Sequence, residues 1–257
     1  MEAFFAVCPC PILGVTGSDG KTTTSTITAE LLRAQGYTVH LGGNIGTPLF
    51  DRIPDIRPDD FAVLELSSFQ LHSMHCAPDV AIITNISPNH LDVHPDLEDY
   101  VSAKCSIYRG QRPDGVLVLN ARDAHTPRFA AEAPGSVRYF SSVGPVENGV
   151  YCSDGVIYRV HGGEAEKLID VSDIRIPGAH NVENYMAAFA ATDGLVGQAA
   201  CVQVARSFAG VPHRMERIRE LNGITFINDS IASSPTRTIA GLHALPKPPV
   251  IILGGHD

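Results

Sequence analysis

The chain of 257 residues carries 28 acidic and 19 basic side chains, for a formal net charge of −9 with histidine neutral. That balance argues against nucleic acid or an anionic membrane surface as a partner. A hydrophobic content of 44% with 18% charged residues excludes a disordered chain.

The six cysteines (Cys8, Cys10, Cys76, Cys105, Cys152 and Cys201) have neither disulfide-framework nor zinc-ribbon spacing, which fits free thiols in a reducing compartment. Cys8-Pro9-Cys10 lacks a second pair to complete a metal site. Met1–Val7 has an acid where a leader peptide needs base. No stretch approaches the roughly 20 apolar residues of a membrane span. A soluble cytoplasmic protein is expected.

Taken in order, the apolar run Pro11–Val15 predicts a buried strand, and Ile27, Leu31 and Leu32 predict a helix over Thr24–Ala34. Between them lies Gly14-Val15-Thr16-Gly17-Ser18-Asp19-Gly20-Lys21-Thr22-Thr23. Strand, glycine-rich turn, Lys-Thr and helix make a phosphate-binding loop. Its glycines let backbone N–H groups close on phosphates, Lys21 reaches the terminal phosphates, and the Thr22 hydroxyl faces Mg²⁺. One departure is Val15 where the general pattern has Gly, with Gly14 one place early. A glycine-rich turn capping an ordinary helix is the alternative, and the flanking strand and helix favour the nucleotide site.

A strand over Tyr37–Leu41 leads into the polar turn Gly42–Pro48, where Asn44 offers donors and an acceptor. Phe61–Leu66 predicts a strand buried on both faces of a parallel sheet. Glu65 is anomalous there, because a buried carboxylate is costly unless paired, hydrogen-bonded or on a metal. Val80–Ile86 predicts another buried strand, with His90 and His94 in its exit loop, where open α/β sheets place ligands. The His90/His94 spacing invites a zinc reading, but Leu91 stands where a zincin has Glu, and Pro88 and Pro95 hem in any helix.

Further on, a helix is expected over Asp96–Arg109 carrying Lys104, a strand over Gly115–Asn120 and a helix over Arg122–Ala133. Alternating pieces at Val150–Cys152, Gly155–Val160 and Ile169–Ile176 predict a small β appendage within residues 136–176. Helices follow at Val182–Leu195 and Gln198–Phe208. Gly210-Val211-Pro212 marks a boundary, giving one domain over 1–210 and a second over 211–257. The second is expected to open as βαβ, with strand Ile224–Asn228, helix Thr236–Leu245 and strand Val250–Leu253, and to be truncated.

Together these pieces resemble the Mur ligases, over essentially the whole chain. The resemblance is carried by Thr16–Thr22, Gly43-Asn44-Ile45-Gly46, Glu65–Leu71, Asn85-Ile86 before His90-Leu91-Asp92, Ala103-Lys104, His180-Asn181 with Asn184, His213-Arg214 with Glu216, and Asn228-Asp229-Ser230. It implies an α/β fold, with a mostly parallel P-loop-type sheet flanked by helices and then the start of a Rossmann-like domain. It also implies an ATP-dependent, ADP-forming amide ligase working through an acyl phosphate. Glu-Leu-Ser-Ser-Phe-Gln-Leu and Asn-Asp-Ser resemble the member that adds D-glutamate to UDP-N-acetylmuramoyl-L-alanine.

By that resemblance Gly17, Ser18, Asp19, Gly20, Lys21, Thr22 and Thr23 hold the phosphates. Asn181 and Asn184 lie near the adenine, and Arg214 and Asp229 reach the nucleotide from the second domain. Thr22 and Glu65 hold one Mg²⁺; His90 and a carbamylated Lys104 hold another. Asn44, Ser67 and His90 face the muramoyl substrate. The resemblance further implies small-molecule partners, a monomer, and no nucleic acid or membrane. Two departures stand out: Asn89 occupies a position usually Asp, and Ile231 one commonly Lys. A nucleotide-binding module without ligase activity, or a relative with another amino-acid substrate, is the alternative.

Overall fold

A computed structural model of the chain describes residues 1–46, 48–88, 93–232 and 235–254. The order begins with α1 (Glu2–Val7), β1 (Ile12–Thr16), α2 (Lys21–Gln35), β2 (Val39–Gly43), β3 (Phe61–Glu65), α3 (Ser68–His72), β4 (Val80–Ile83), α4 (Leu97–Arg109) and β5 (Val116–Asn120). It continues through α5 (Thr126–Glu132), β6 (Ser136–Ser141), β7 (Gly149–Ser153), β8 (Val156–His161), β9 (Glu164–Asp170), α6 (Ala179–Ala191) and α7 (Gln198–Ser207). The last elements are β10 (Glu216–Leu221), β11 (Ile224–Asn228) and α8 (Pro235–His243).

Nine strands form one sheet in the order β2-β3-β1-β4-β5-β6-β7-β8-β9. Pairing is parallel from β2 through β7 and antiparallel across β7, β8 and β9. The central strands are apolar throughout because both faces are covered. Leu13, Val15, Val63 and Ile82 face a core shared with Ile27, Leu31 and Leu32 of α2, Tyr185 and Phe189 of α6, and Val204 of α7. Ile12, Leu64, Ala81 and Ile83 face the opposite core with Leu71 of α3, Val101 and Ile107 of α4, and Phe129 of α5. Successive residues of one strand thus feed opposite layers, as the two-residue repeat of a strand requires.

Several expectations are corrected. The expected β appendage within residues 136–176 is present as antiparallel β7–β8–β9, and it continues the main sheet, since β6 pairs with β5 and β7 with β6. Ile169–Ile176 is not a strand: β9 ends at Asp170, where a 3₁₀ turn over Val171–Asp173 takes over. The helix expected over Arg122–Ala133 begins only at Thr126, because Asn120 and Asp123 side chains accept the Arg122 and His125 amides and hold a turn. The expected helix to Leu195 stops at Ala191. After residue 211 the chain forms an antiparallel hairpin, β10–β11, in its own two-stranded sheet, rather than opening as βαβ. Val250–Leu253 forms no strand. No helix of the described residues is long and apolar enough to cross a membrane.

Candidate active site at the strand ends

The loop between β1 and α2 is pinned from the exit of β4. Ser18 N–H donates to the Asn85 carbonyl (2.9 Å) and Asp19 N–H to Asn85 Oδ1 (3.0 Å). The Asp19 carbonyl accepts from Thr84 Oγ1 (2.6 Å) and Asn85 Nδ2 (3.2 Å). Ser18 Oγ donates to the Ser87 carbonyl (2.9 Å), accepts from Ser87 N–H (2.8 Å) and meets Tyr100 OH (3.0 Å). Its side chain therefore anchors the loop from behind.

Two glycines are sterically required. A Cβ on Gly17 (φ +144°) would lie 1.9 Å from Thr84 Oγ1, and one on Gly20 (φ +79°) 2.3 Å from Asn184 Oδ1. Gly20 precedes α2, whose first-turn N–H groups have no intrahelical acceptors and carry the positive end of the helix dipole. Lys21 Nζ donates to the Gly17 and Ser18 carbonyls, both at 2.9 Å, so the lysine closes the loop on itself. The Thr22 hydroxyl accepts from Arg214 Nη2 (3.3 Å), and Thr23 is buried.

Glu65 ends β3, buried to 2% exposure. Its Oε1 accepts from Asn44 Nδ2 (3.1 Å), while its buried Oε2 has no hydrogen-bond partner among the described residues. A buried carboxylate oxygen without a donor fits a cation ligand. Asn44 is therefore placed on Glu65, with its own N–H also donating to the Glu65 carbonyl (2.8 Å). Ser67 caps α3 in a reciprocal box with Gln70, accepting from Gln70 N–H (3.3 Å) while Ser67 N–H donates to Gln70 Oε1 (2.9 Å).

Lys104, on α4, is 1% exposed. Its Nζ donates to the Gly17 carbonyl (2.9 Å) and Thr16 Oγ1 (3.4 Å) and lies 4.5 Å above the Tyr100 ring. Burial, and then the neighbouring Lys21 charge, push its pKa well below 10.5; Asp19 and Glu65 oppose that shift. His90 lies outside the described residues. His94 has both ring nitrogens engaged by protein, at Asp99 Oδ2 (2.7 Å) and Ser68 Oγ (3.0 Å), and the other half of the zinc reading, His90, is outside the described residues.

A cavity of about 850 Å³ separates the main sheet from the β10–β11 arm. It brings together Asp19, Gly20, Thr23, Asn181, Asn184, Arg214 and Asp229. Lys21, Thr22, Glu65 and Lys104 do not line it. Asn184 Oδ1 accepts from Thr24 Oγ1 (3.2 Å), Asn184 Nδ2 donates to Asn181 Oδ1 (3.2 Å), and Asn181 Nδ2 donates to the Pro177 carbonyl (2.6 Å). Asp229 Oδ1 accepts from Met215 N–H (3.0 Å).

Sequence reasoning gave no role to Thr84, Tyr100 or His180. Thr84 and Tyr100 buttress the loop, and His180 lines the cavity with a pKa lowered chiefly by burial. The adjacent Asn181 was a usable signal for His180. For Thr84, only the need to fill the space beside Gly17 points to it.

The Mur ligase middle domain family matches residues 15–192. The chain belongs to the Mur ligase family. It is 51% identical over all of its 257 residues to the UDP-N-acetylmuramoylalanine–D-glutamate ligase of Acetivibrio thermocellus and 49% identical to that of Clostridium kluyveri. It covers 55% of each, so it spans about half the length of the curated relatives it matches. MurF from Acinetobacter baumannii superimposes with a TM-score of 0.73 at 22% identity, covering 93% of this chain and 55% of that one. MurF ligase from Thermotoga maritima in complex with ADP gives 0.66 at 21% identity, covering 95% and 60%. Both share the Mur ligase fold.

Proposed function

We propose that this chain carries the ATP and Mg²⁺ site of an ADP-forming ligase that adds D-glutamate to UDP-N-acetylmuramoyl-L-alanine in peptidoglycan precursor synthesis. The observation that carries the reading is the buried Glu65 carboxylate, with one oxygen undonated among the described residues, at a strand end electrostatically coupled to Lys104. Near-50% identity to D-glutamate ligases across the chain supports the choice of amino acid, and the ADP bound by a protein of the same fold supports ATP as phosphoryl donor.

In the proposed reaction the substrate carboxylate attacks the ATP γ-phosphorus, releasing ADP and forming an acyl phosphate. The D-glutamate amine then attacks the acyl carbon, phosphate leaves, and the amine loses its proton. Such a transfer needs positioning and charge neutralisation more than covalent catalysis. Phosphate oxygens would replace the Gly17 and Ser18 carbonyls as partners of the Lys21 ammonium, while the first-turn N–H groups of α2 face the same charge. Asn181, Asn184, Arg214 and Asp229 would hold the nucleoside within the cavity.

Thr22 and Glu65 would hold one Mg²⁺, and His90 with Lys104 the other; the ions would neutralise phosphate charge. Burial favours the neutral Lys104 amine, the form that adds carbon dioxide to become a carbamate. As a carbamate, Lys104 would turn from a cation into an oxygen ligand. Asn44 and Ser67, held by Glu65 and Gln70, would present the acyl-substrate side. The division at residue 210 belongs to this proposal, supported by the separate β10–β11 sheet.

The test is phosphate release by a full-length protein carrying this chain, given ATP, UDP-N-acetylmuramoyl-L-alanine and D-glutamate. Release dependent on D-glutamate is expected; release only with another amino acid reassigns the substrate. Because the chain spans about half of its relatives, the 257-residue chain alone is read as a nucleotide-binding module, and ligation by it alone would overturn that second reading.

A further inference from the structure

His94 is 4% exposed and touches both α3 and α4. Asp99, in the first turn of α4, accepts from Nδ1 at 2.7 Å. On the other side of the ring, Nε2 lies 3.0 Å from Ser68 Oγ. Ser68 opens α3 and follows Ser67 directly. Phe69 stacks on one side of the imidazole (5.5 Å, 17°), and the Tyr100 ring meets it edge-on (5.2 Å, 76°). Tyr100 in turn bonds Ser18 of the phosphate loop and lies beneath Lys104.

Any buried imidazole needs a partner for each ring nitrogen, so the place of those partners is what matters here. This one uses both nitrogens to tie two helix starts together. The Ser68 bond is the hydrogen bond from His94 to the segment carrying Ser67, Phe69 adds a ring contact to the same helix, and Tyr100 is held by Ser18 as well.

We infer that His94 is a positioning residue, a clasp that fixes the start of α3 and through it the acyl-substrate side of the site. It does not line the cavity beside the β10–β11 arm. The inference rests on the ligase reading for its kinetic consequence and on geometry alone for the clasp.

Two measurements separate these levels. The first is hydrogen exchange on this chain as His94→Asn and Ser68→Ala. Asparagine keeps a donor near the Nδ1 position but cannot reach Ser68, and Ser68→Ala removes one oxygen without altering packing. Exchange within α3 is expected to rise about tenfold in both, with the sheet unchanged. No change, or a loss of protection spread over the sheet, would overturn the clasp.

The second is steady-state kinetics of a full-length protein carrying the same changes and His94→Gln, whose amide reaches the Nε2 position. The KM for the muramoyl-alanyl substrate should rise about tenfold in His94→Asn and Ser68→Ala. The KM for ATP should stay within about twofold, and His94→Gln should recover most of the loss. Equal changes in both KM values, a fall in kcat alone, or no rescue by glutamine would overturn the positioning role. A wild-type protein silent with every amino acid would sink the ligase reading and the kinetic role with it, while exchange still decides the clasp.

Discussion

The phosphate loop and Arg214 face one nucleotide in the proposed site, but they are held very differently. The loop is fastened to Thr84, Asn85 and Ser87 by six hydrogen bonds and rests on a sheet covered on both faces. Arg214 stands just before β10, on an arm where Ile218, Ile224 and Phe226 are exposed, and reaches Thr22 at 3.3 Å. The first is pre-organised, so damage to it should register in folding and binding together. The second should register in binding alone.

The largest effect is expected from Phe189→Ala in α6, a fully buried ring in the core behind the loop, which should cost about 3–5 kcal/mol in denaturant unfolding. Next is Gly17→Ala, which combines a positive φ with a Cβ 1.9 Å from Thr84 Oγ1. A loss of about 1–3 kcal/mol and of nucleotide binding is expected, with partial recovery in Gly17→Ala/Thr84→Ala. Unaltered binding in Gly17→Ala would break the claim that the loop is rigid.

Lys104→Met should leave stability unchanged or raised, because it removes a buried charge. The pH dependence has a definite sign. With the folded pKa well below 10.5, the unfolded chain binds the proton more tightly, so wild-type stability rises with pH up to 10.5. The gap between wild type and Lys104→Met should therefore narrow over that interval in carbon dioxide-free buffer, read by thermal unfolding. A gap that is constant with pH would contradict the buried-ammonium picture.

Arg214→Ala should weaken a MgATP analogue by roughly tenfold or less while leaving unfolding unchanged. The smallest effect belongs to Ile252→Ala, at a residue 96% exposed, which should change stability by less than about 0.5 kcal/mol. A large change at either residue would show that the arm is part of the cooperative core.

The central strands and α2, α4, α6 and α7 were legible because burial on two faces produces apolar runs and burial on one face produces helical spacing. Partner choice was not legible. Alternation in residues 149–161 announces strands but does not say that β6 and β7 extend the main sheet. β10 went unseen because Ile218 and Leu221 are exposed and the rest of Glu216–Leu221 is charged. The apolar run Val250–Leu253 looked like a strand, yet hydrophobicity alone supplies no ladder partner.

The burial of Glu65 was legible as an acid inside an apolar run. The directions of Ser18, Asn44 and Ser67 were hidden, because a hydroxyl or amide in a motif does not reveal whether it faces a ligand or its own backbone.

The most direct test of the central claim, that residues 14–23 bind nucleotide phosphates, is calorimetry of a MgATP analogue on this chain and on Lys21→Ala. Losing a charge-assisted contact should weaken binding by roughly ten- to a hundredfold, about 1.5–3 kcal/mol. Equal affinity in the two proteins would contradict the assignment.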